Sequence, residues 1–118
     1  MPEPALTPDL ALSYLDELST DIRAAVLLDA SGALSAHKAA REEAGPRLAE
    51  LAQELFERAD RAGGAPVPQL EVSLPEGVVY GVRDGGWTLV VVTGRFALSS
   101  VMFYDLRNVV SDLGRRAA

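Results

Sequence analysis

The chain has no cysteine, and His37 is the one histidine in 118 residues. The first absence excludes disulfides and thiolate chemistry and fits a reducing cytoplasm. The two together would leave a zinc site almost wholly to carboxylates, against the usual thiolate and imidazole donors. No metal and no cofactor is therefore expected. Basic residues never cluster beyond Arg115-Arg116, and the formal charge is −6. That leaves no cationic stripe to displace counterions from nucleic acid, and none to dock on an anionic bilayer. Apolar runs stop at four or five residues, whereas a membrane span needs about 20. Residues 1–7 lack the basic-then-apolar pattern of a signal peptide, so a cytoplasmic location is expected.

What remains is ordinary globular composition, 48% apolar and 24% charged, which excludes disorder. A chain this long buries roughly two-thirds of its unfolded surface in one domain. Arginine far outnumbers lysine, Lys38 being the only one. That is a codon signature of GC-rich bacterial genomes rather than a physical constraint.

The organising stretch is Val78–Thr93. Two β-rich runs flank Arg83-Asp84-Gly85-Gly86, and glycines between such runs signal a hairpin because a tight turn needs φ > 0. The second run, Leu89-Val90-Val91-Val92, is apolar without alternation, the pattern of a mid-sheet strand covered on both faces. Upstream, Thr7-Pro8-Asp9 reads as a helix start. That helix should run to about Ser19, with Leu10, Ala11, Tyr14, Leu15 and Leu18 inward and Leu12 off the stripe. Arg23–Asp29 reads as a second buried strand, Asp29-Ala30-Ser31-Gly32 as a turn, and Ala33–Ala36 as the return. A polar connection, 37–44, follows.

Gly45-Pro46 opens a long helix to about Ala62. Leu48, Leu51, Ala52, Leu55, Phe56, Ala59 and Ala62 form its apolar set, and Gly63-Gly64 ends it. Leu70, Val72 and Leu74 alternate with Gln69, Glu71 and Ser73, and flanking prolines suit an edge strand. The last helix should span about Ser99–Leu113 on Met102, Phe103, Leu106, Val109, Val110 and Leu113, with Gly114 as its C-cap. The order is helix-strand-strand-helix-strand-strand-strand-helix. Residues 1–6 and 115–118 are expected as tails around a single domain, 7–114.

Five strands make a sheet roughly 20–25 Å across, and a helix is about 10–12 Å wide. The first and last helices can cover one face; the middle helix alone leaves an apolar strip on the other. A two-fold homodimer would cover it. Ala49, Ala52 and Phe56, with Gly63, lie on one flank of that helix and would let two backbones approach. The edge strand, Gln69, Leu70, Glu71 and Val72 in particular, could pair with its copy.

Catalytic constellations are scarce. Ser31, Asp29 and His37 suggest a triad, but a hairpin turn with a histidine in a polar surface loop explains them more simply. Asp16-Glu17 and Glu42-Glu43 are neighbours that point apart. Gly63-Gly64 and Gly85-Gly86 match no phosphate-binding fingerprint. Trp87 and Tyr80 lie on opposite arms of the hairpin and are expected to pack across it. Tyr104 projects from the polar side of the last helix, a weak sign of partner contact.

The hairpin Ala24–Leu34, with its apolar strand, Asp-x-x-Gly turn and return strand, resembles the opening of the Roadblock (dynein light chain) family. The Ala/Leu/Glu helix, the turn after Val82, the strand Leu89–Val92 and the amphipathic last helix follow in the family's order over Pro8–Leu113. Ser99 departs from the small Leu-Gly step that often opens the last helix. The resemblance implies a profilin-like α+β sandwich on a five-stranded antiparallel sheet, and a homodimer with one continuous sheet. It also implies a non-enzymatic regulator of a Ras-like small GTPase, as in bacterial gliding-motility relatives. On that reading the GTPase would dock on the outer face of the middle helix, through Arg47, Glu50, Glu54, Glu57, Arg58 and Arg61. The alternatives are a profilin-like or PAS-like sensor whose ligand pocket is lined by Trp87 or Tyr80, and an enzyme using Ser31, Asp29 or His37.

Overall fold

A computed structural model describes residues 7–18, 21–39, 41 and 43–117, the side chains of 115–117 excepted. Its elements are α1 (Pro8–Leu18), β1 (Ile22–Leu28), β2 (Leu34–Lys38), α2 (Ala44–Gly63), β3 (Gln69–Leu74), β4 (Gly77–Asp84), β5 (Trp87–Thr93) and α3 (Ser99–Ala117). The order is the expected one. The tail at 1–6 lies outside the described residues.

All strand pairs are antiparallel, in the order β2-β1-β5-β4-β3. The apolar run of β5 is at the centre, with Leu89, Val90 and Val91 buried. Gly85 and Gly86 both have positive φ, 59° and 87°, the two-residue turn whose twist matches the strands it joins. β3 is one edge, as its prolines suggested. β2 is the other: it is short, its pairing with β1 slips at Leu27/Leu28, and Lys38 is salt-bridged to Asp16 of α1.

Each face of the sheet has its own core. α1 and α3 cover one, over Leu27, Tyr80, Val82, Leu89 and Val91. Tyr80 packs edge-on against Phe103, ring centroids 5.3 Å apart, and its hydroxyl lies 3.1 Å from Ser99 Oγ at the start of α3. α2 alone covers the other face, with Ala49, Ala52 and Phe56 on Val26, Leu28, Val79 and Val90.

Two helix expectations need correction. In α1, Thr7 Oγ1 accepts the Leu10 N–H at 3.2 Å as a cap, but the buried residues are Ala11, Leu12 and Leu15; Leu10, Tyr14 and Leu18 are exposed. The helix is rotated from the face the apolar spacing suggested. α3 does not stop at Gly114 but continues to Ala117, through residues expected to be a tail. At Gly114 the helix passes the β4–β5 turn, where a Cβ on that residue would meet the Gly85 Cα at an ordinary contact distance of 3.7 Å. In α2 the expected glycine stop holds: Gly63 is the last helical residue and Gly64, φ 75°, is the left-handed cap whose N–H reaches Asp60 O.

Gly77 opens β4 where the chain passes closest to its neighbour. A Cβ there would lie 2.1 Å from the Thr93 carbonyl oxygen, a backbone atom that cannot swing aside. Gly77→Ala should therefore destabilise the chain by about 2 kcal/mol, the scale of overpacking. Urea unfolding checks this; an unchanged midpoint would contradict the fit.

Candidate interaction surfaces

Asp29 and Ser31, two of the residues that suggested catalysis, are engaged in holding a turn. Asp29 Oδ1 accepts from Ser31 N–H at 2.9 Å, Ser31 Oγ–H at 2.6 Å and Ala33 N–H at 3.1 Å. These donors, the Ser31 hydroxyl foremost, hold the Asp29 carboxyl below its usual range. His37 is not in a loop. It sits on β2 opposite Val26, with its ring against Gly45, where a Cβ would come within 2.4 Å. Ser31, Asp29 and His37 thus do not form a nucleophile, orienter and base. Among the described residues no group of three His, Cys, Asp or Glu could hold a metal ion, and no helix is long and apolar enough to cross a membrane. Tyr80 and Trp87 do not face each other: the register sets Tyr80 opposite Val91 and Trp87 opposite Asp84.

An unforeseen cluster pins the C-terminal half of α2. Arg83 of β4 donates to Asp60 at 2.6 and 3.0 Å and to the Val67 carbonyl at 2.5 and 3.0 Å. Its guanidinium lies 4.3 Å from the centroid of Phe56. Asp60 also accepts the Val67 N–H at 2.9 Å. The chain between α2 and β3 is tied down from both sides. Arg83 beside it, and then the Val67 N–H, hold the Asp60 carboxyl below its usual range. Beside this cluster is a cleft of about 750 Å³ between α2 and the β1–β2 and β4–β5 turns, with Phe56, Asp60, Arg83 and Trp87 in its lining. Of the two aromatics expected in a ligand pocket, Trp87 borders it and Tyr80 is in the opposite core.

The α2 side of the sheet is only partly roofed. Ala49, Ala52 and Phe56, expected at a helix–helix contact between copies, lie beneath α2 and are buried within the single chain. They cannot form the open flank. That flank consists of Leu48, Leu55 and Leu51, the last 44% exposed, alongside Leu70, Val72 and Val92 of the sheet, which are only partly buried. Leu74 at the end of β3 is exposed. The Arg83 N–H bonds the Pro68 carbonyl, and this sets the phase of the β3–β4 ladder. Alternation along an antiparallel pair then gives Leu70, Val72 and Leu74 the bonds to β4, and turns the N–H and C=O of Gln69, Glu71 and Ser73 outward. Edge and apolar strip adjoin.

The outer face of α2 carries Arg47, Glu50, Glu54, Glu57, Arg58 and Arg61, all exposed. Arg58 pairs with Glu54 at 2.8 Å and Arg61 with Glu57 at 4.0 Å, both one helical turn apart. This is a solvated, zwitterionic surface.

No family model and no curated protein matches the chain, but solved structures do. A Roadblock/LC7 domain from Streptomyces avermitilis superposes with a TM-score of 0.81 at 25% identity, covering 91% of this chain and 94% of the other. MglB of Myxococcus xanthus gives 0.66 at 16% identity over 98% and 91%. The gliding protein MglB of Thermus thermophilus gives 0.63 at 22% over 91% and 87%. The fold is that of the Roadblock/LC7 domain, so the resemblance read from the hairpin and the element order holds.

The Asp60–Arg83 pair makes a testable claim about acid stability. A carboxyl held below its unfolded value stabilises the fold above the ordinary carboxylate range, about pH 4, and loses that contribution as pH falls through its folded value. Asp60→Asn should lower the urea midpoint at pH 7 and flatten the decline below about pH 4. Superimposable pH profiles for the two proteins would contradict it.

Proposed function

We propose that the chain is a non-enzymatic, homodimeric interaction module that binds and regulates, or scaffolds, a Ras-like small GTPase. The observation that carries the first half is the apolar strip left beside α2, bordered by the outward-facing hydrogen-bonding groups of β3. A second copy related by a two-fold axis satisfies both at once: β3 pairs with β3, and Leu48, Leu51 and Leu55 of each α2 close over the strip. One MglB structure, which superposes with a TM-score of 0.64, is described with a tetrameric arrangement, so self-association accompanies this fold in at least one neighbour.

The second half rests on the Roadblock resemblance and on the Mgl gliding proteins among the structural neighbours. In the dimer the two outer faces of α2 form one broad polar surface, and Arg47, Glu50, Glu54, Glu57, Arg58 and Arg61 offer both signs of charge to a partner. Charges in that position set orientation and encounter rate more than raw affinity.

The cleft of about 750 Å³ supports a second reading, a sensor that holds a small ligand. Its volume is within the range of ligand pockets. Among the described residues its one lining cation, Arg83, is already paired with Asp60. A thermal-shift ligand screen separates the readings.

Two outcomes are expected. Glu71→Pro removes an outward backbone donor without touching the bonds to β4, and should convert a dimer into a folded monomer by sedimentation equilibrium. A wild-type chain already monomeric at micromolar concentration would overturn the dimer. Glu54→Ala with Arg58→Ala should weaken binding to the cognate GTPase by about tenfold or more, a loss of about 1.4 kcal/mol. Unchanged binding would remove the α2 face as the docking site.

A further inference from the structure

The two faces of β3 differ in chemistry. Leu70 and Val72 pack against the core under α2. Gln69, Glu71 and Ser73 stand opposite Val82, Tyr80 and Val78 of β4, which pack in the core under α1 and α3. Residues paired across a ladder share a face, so these three side chains look toward α3. Two charges meet there. Glu71 is exposed. Arg107 of α3, also exposed, donates through Nη2 to Gln69 Oε1, two residues along the same face from Glu71. Arg107 forms no ion pair among the described residues, and a guanidinium has further N–H donors to give. Asp84 borders the recess beside Arg107, on the opposite side of the Gln69–Val82 rung from Glu71.

Pairing of β3 with its copy would bring these charges together. The outward N–H and C=O groups belong to Gln69, Glu71 and Ser73. A two-fold axis through Glu71 lets all of them bond, Glu71 with the partner's Glu71 and Gln69 with the partner's Ser73. An axis at Leu70 would set Ser73 against the partner's Val67, whose N–H and C=O are already taken by Asp60 and Arg83 within each chain. An axis at Val72 would set Gln69 against the partner's Pro75, which has no N–H to give. On the α2 side Leu70, Val72 and Leu74 repeat every second residue, so apolar contact alone does not choose among these registers. The best-bonded register sets two carboxylates directly opposite each other, which destabilises a strand pair. Arg107 offsets that. It stands over Gln69, diagonal to the partner's Glu71 across the seam, where neighbours about 7–8 Å apart are within reach of long side chains.

We infer that Glu71 and Arg107 of both copies form an alternating cluster of four charges around the two-fold axis, on the α3 side of the seam, and that this cluster sets the register of the β3 pair. The inference rests on the homodimer proposed above and adds to it the residues that select the partner. The apolar strip under α2 supplies contact that many edge strands could satisfy. Charge on the other side of the sheet decides which strand fits and how it is aligned. A second copy of this chain brings both signs in the required places. An edge strand with an acidic residue at this position and no cation beside it would be repelled.

Charge exchange in the full chain tests the cluster. By sedimentation equilibrium at low salt, Glu71→Arg and Arg107→Glu should each weaken self-association at least about tenfold, because each sets four like charges around the axis. Circular dichroism should stay unchanged, since both side chains are exposed. Mixed one to one, the two variants should form a mixed dimer about as tight as the wild-type one, because a chain with two cations then meets a chain with two anions. A pair confined to one chain would give no such rescue. The register is read separately. The chain has no cysteine, so an introduced thiol has only its own copy to join. Under a mild oxidant Glu71→Cys should cross-link fastest, its Cα atoms being about 5.5 Å apart across the axis, and Leu70→Cys and Val72→Cys more slowly. A monomeric wild-type chain removes the homodimer itself. A wild-type dimer whose charge variants self-associate unchanged, or whose mixed variants stay apart, leaves the homodimer standing and overturns the cluster. Faster cross-linking at position 70 or 72 overturns the register.

Discussion

The seating of Phe56 governs how α2 lies on the sheet. Its ring occupies the space that Gly81 leaves: a Cβ on Gly81 would come within 2.9 Å of it. Arg83 covers the ring from the same strand, and Asp60 and the Val67 carbonyl hold Arg83. One guanidinium thus joins the helix, the strand and the chain leading into β3. Shared in this way, it fixes geometry more firmly than a surface ion pair, whose worth is within about 1 kcal/mol. With α2 held at that point, Leu48, Leu51 and Leu55 are left along its open flank.

The two faces of the sheet are consequently unequal. α1 and α3 side by side seal one core, and their outer surface still carries apolar groups. α2 alone seals the middle of the other and leaves the β3 side only partly covered. Apolar surface that the chain itself does not cover therefore remains on both faces.

Local signals in the sequence read true. The Gly85-Gly86 turn, the unalternating β5 and the proline-flanked β3 each follow from a period or a backbone angle confined to a few residues. Misreadings arose where one pattern has two physical causes. Leu10, Tyr14 and Leu18 have the spacing of a buried stripe, yet the sheet is covered by Ala11, Leu12 and Leu15. Periodicity reports that a face is apolar, not whether the chain itself covers it. Gly114 resembles a helix stop, but a single glycine does not by itself end a helix, and α3 runs on to Ala117. Ala49, Ala52 and Phe56 looked suited to a contact between copies because small residues pack equally well on a sheet. The Arg83 cluster left no local trace, since its parts are 23 residues apart in the chain. His37 read as a loop residue because β2 ends in polar residues, and the close approach of Gly45 to its ring comes from another element.

β2 gives the sheet a blunt side. It has five residues, its alignment with β1 slips midway, and its last residue is tethered to α1 through Lys38 and Asp16. Such a border is a poor template for further strands. An assembly growing through the β3 border therefore uses up its extensible end in the first addition and shows only blunt ends outward. If β3 pairs with its copy as proposed, stacking stops at a closed pair, and exposed backbone that could have seeded a fibre becomes a seam that terminates itself.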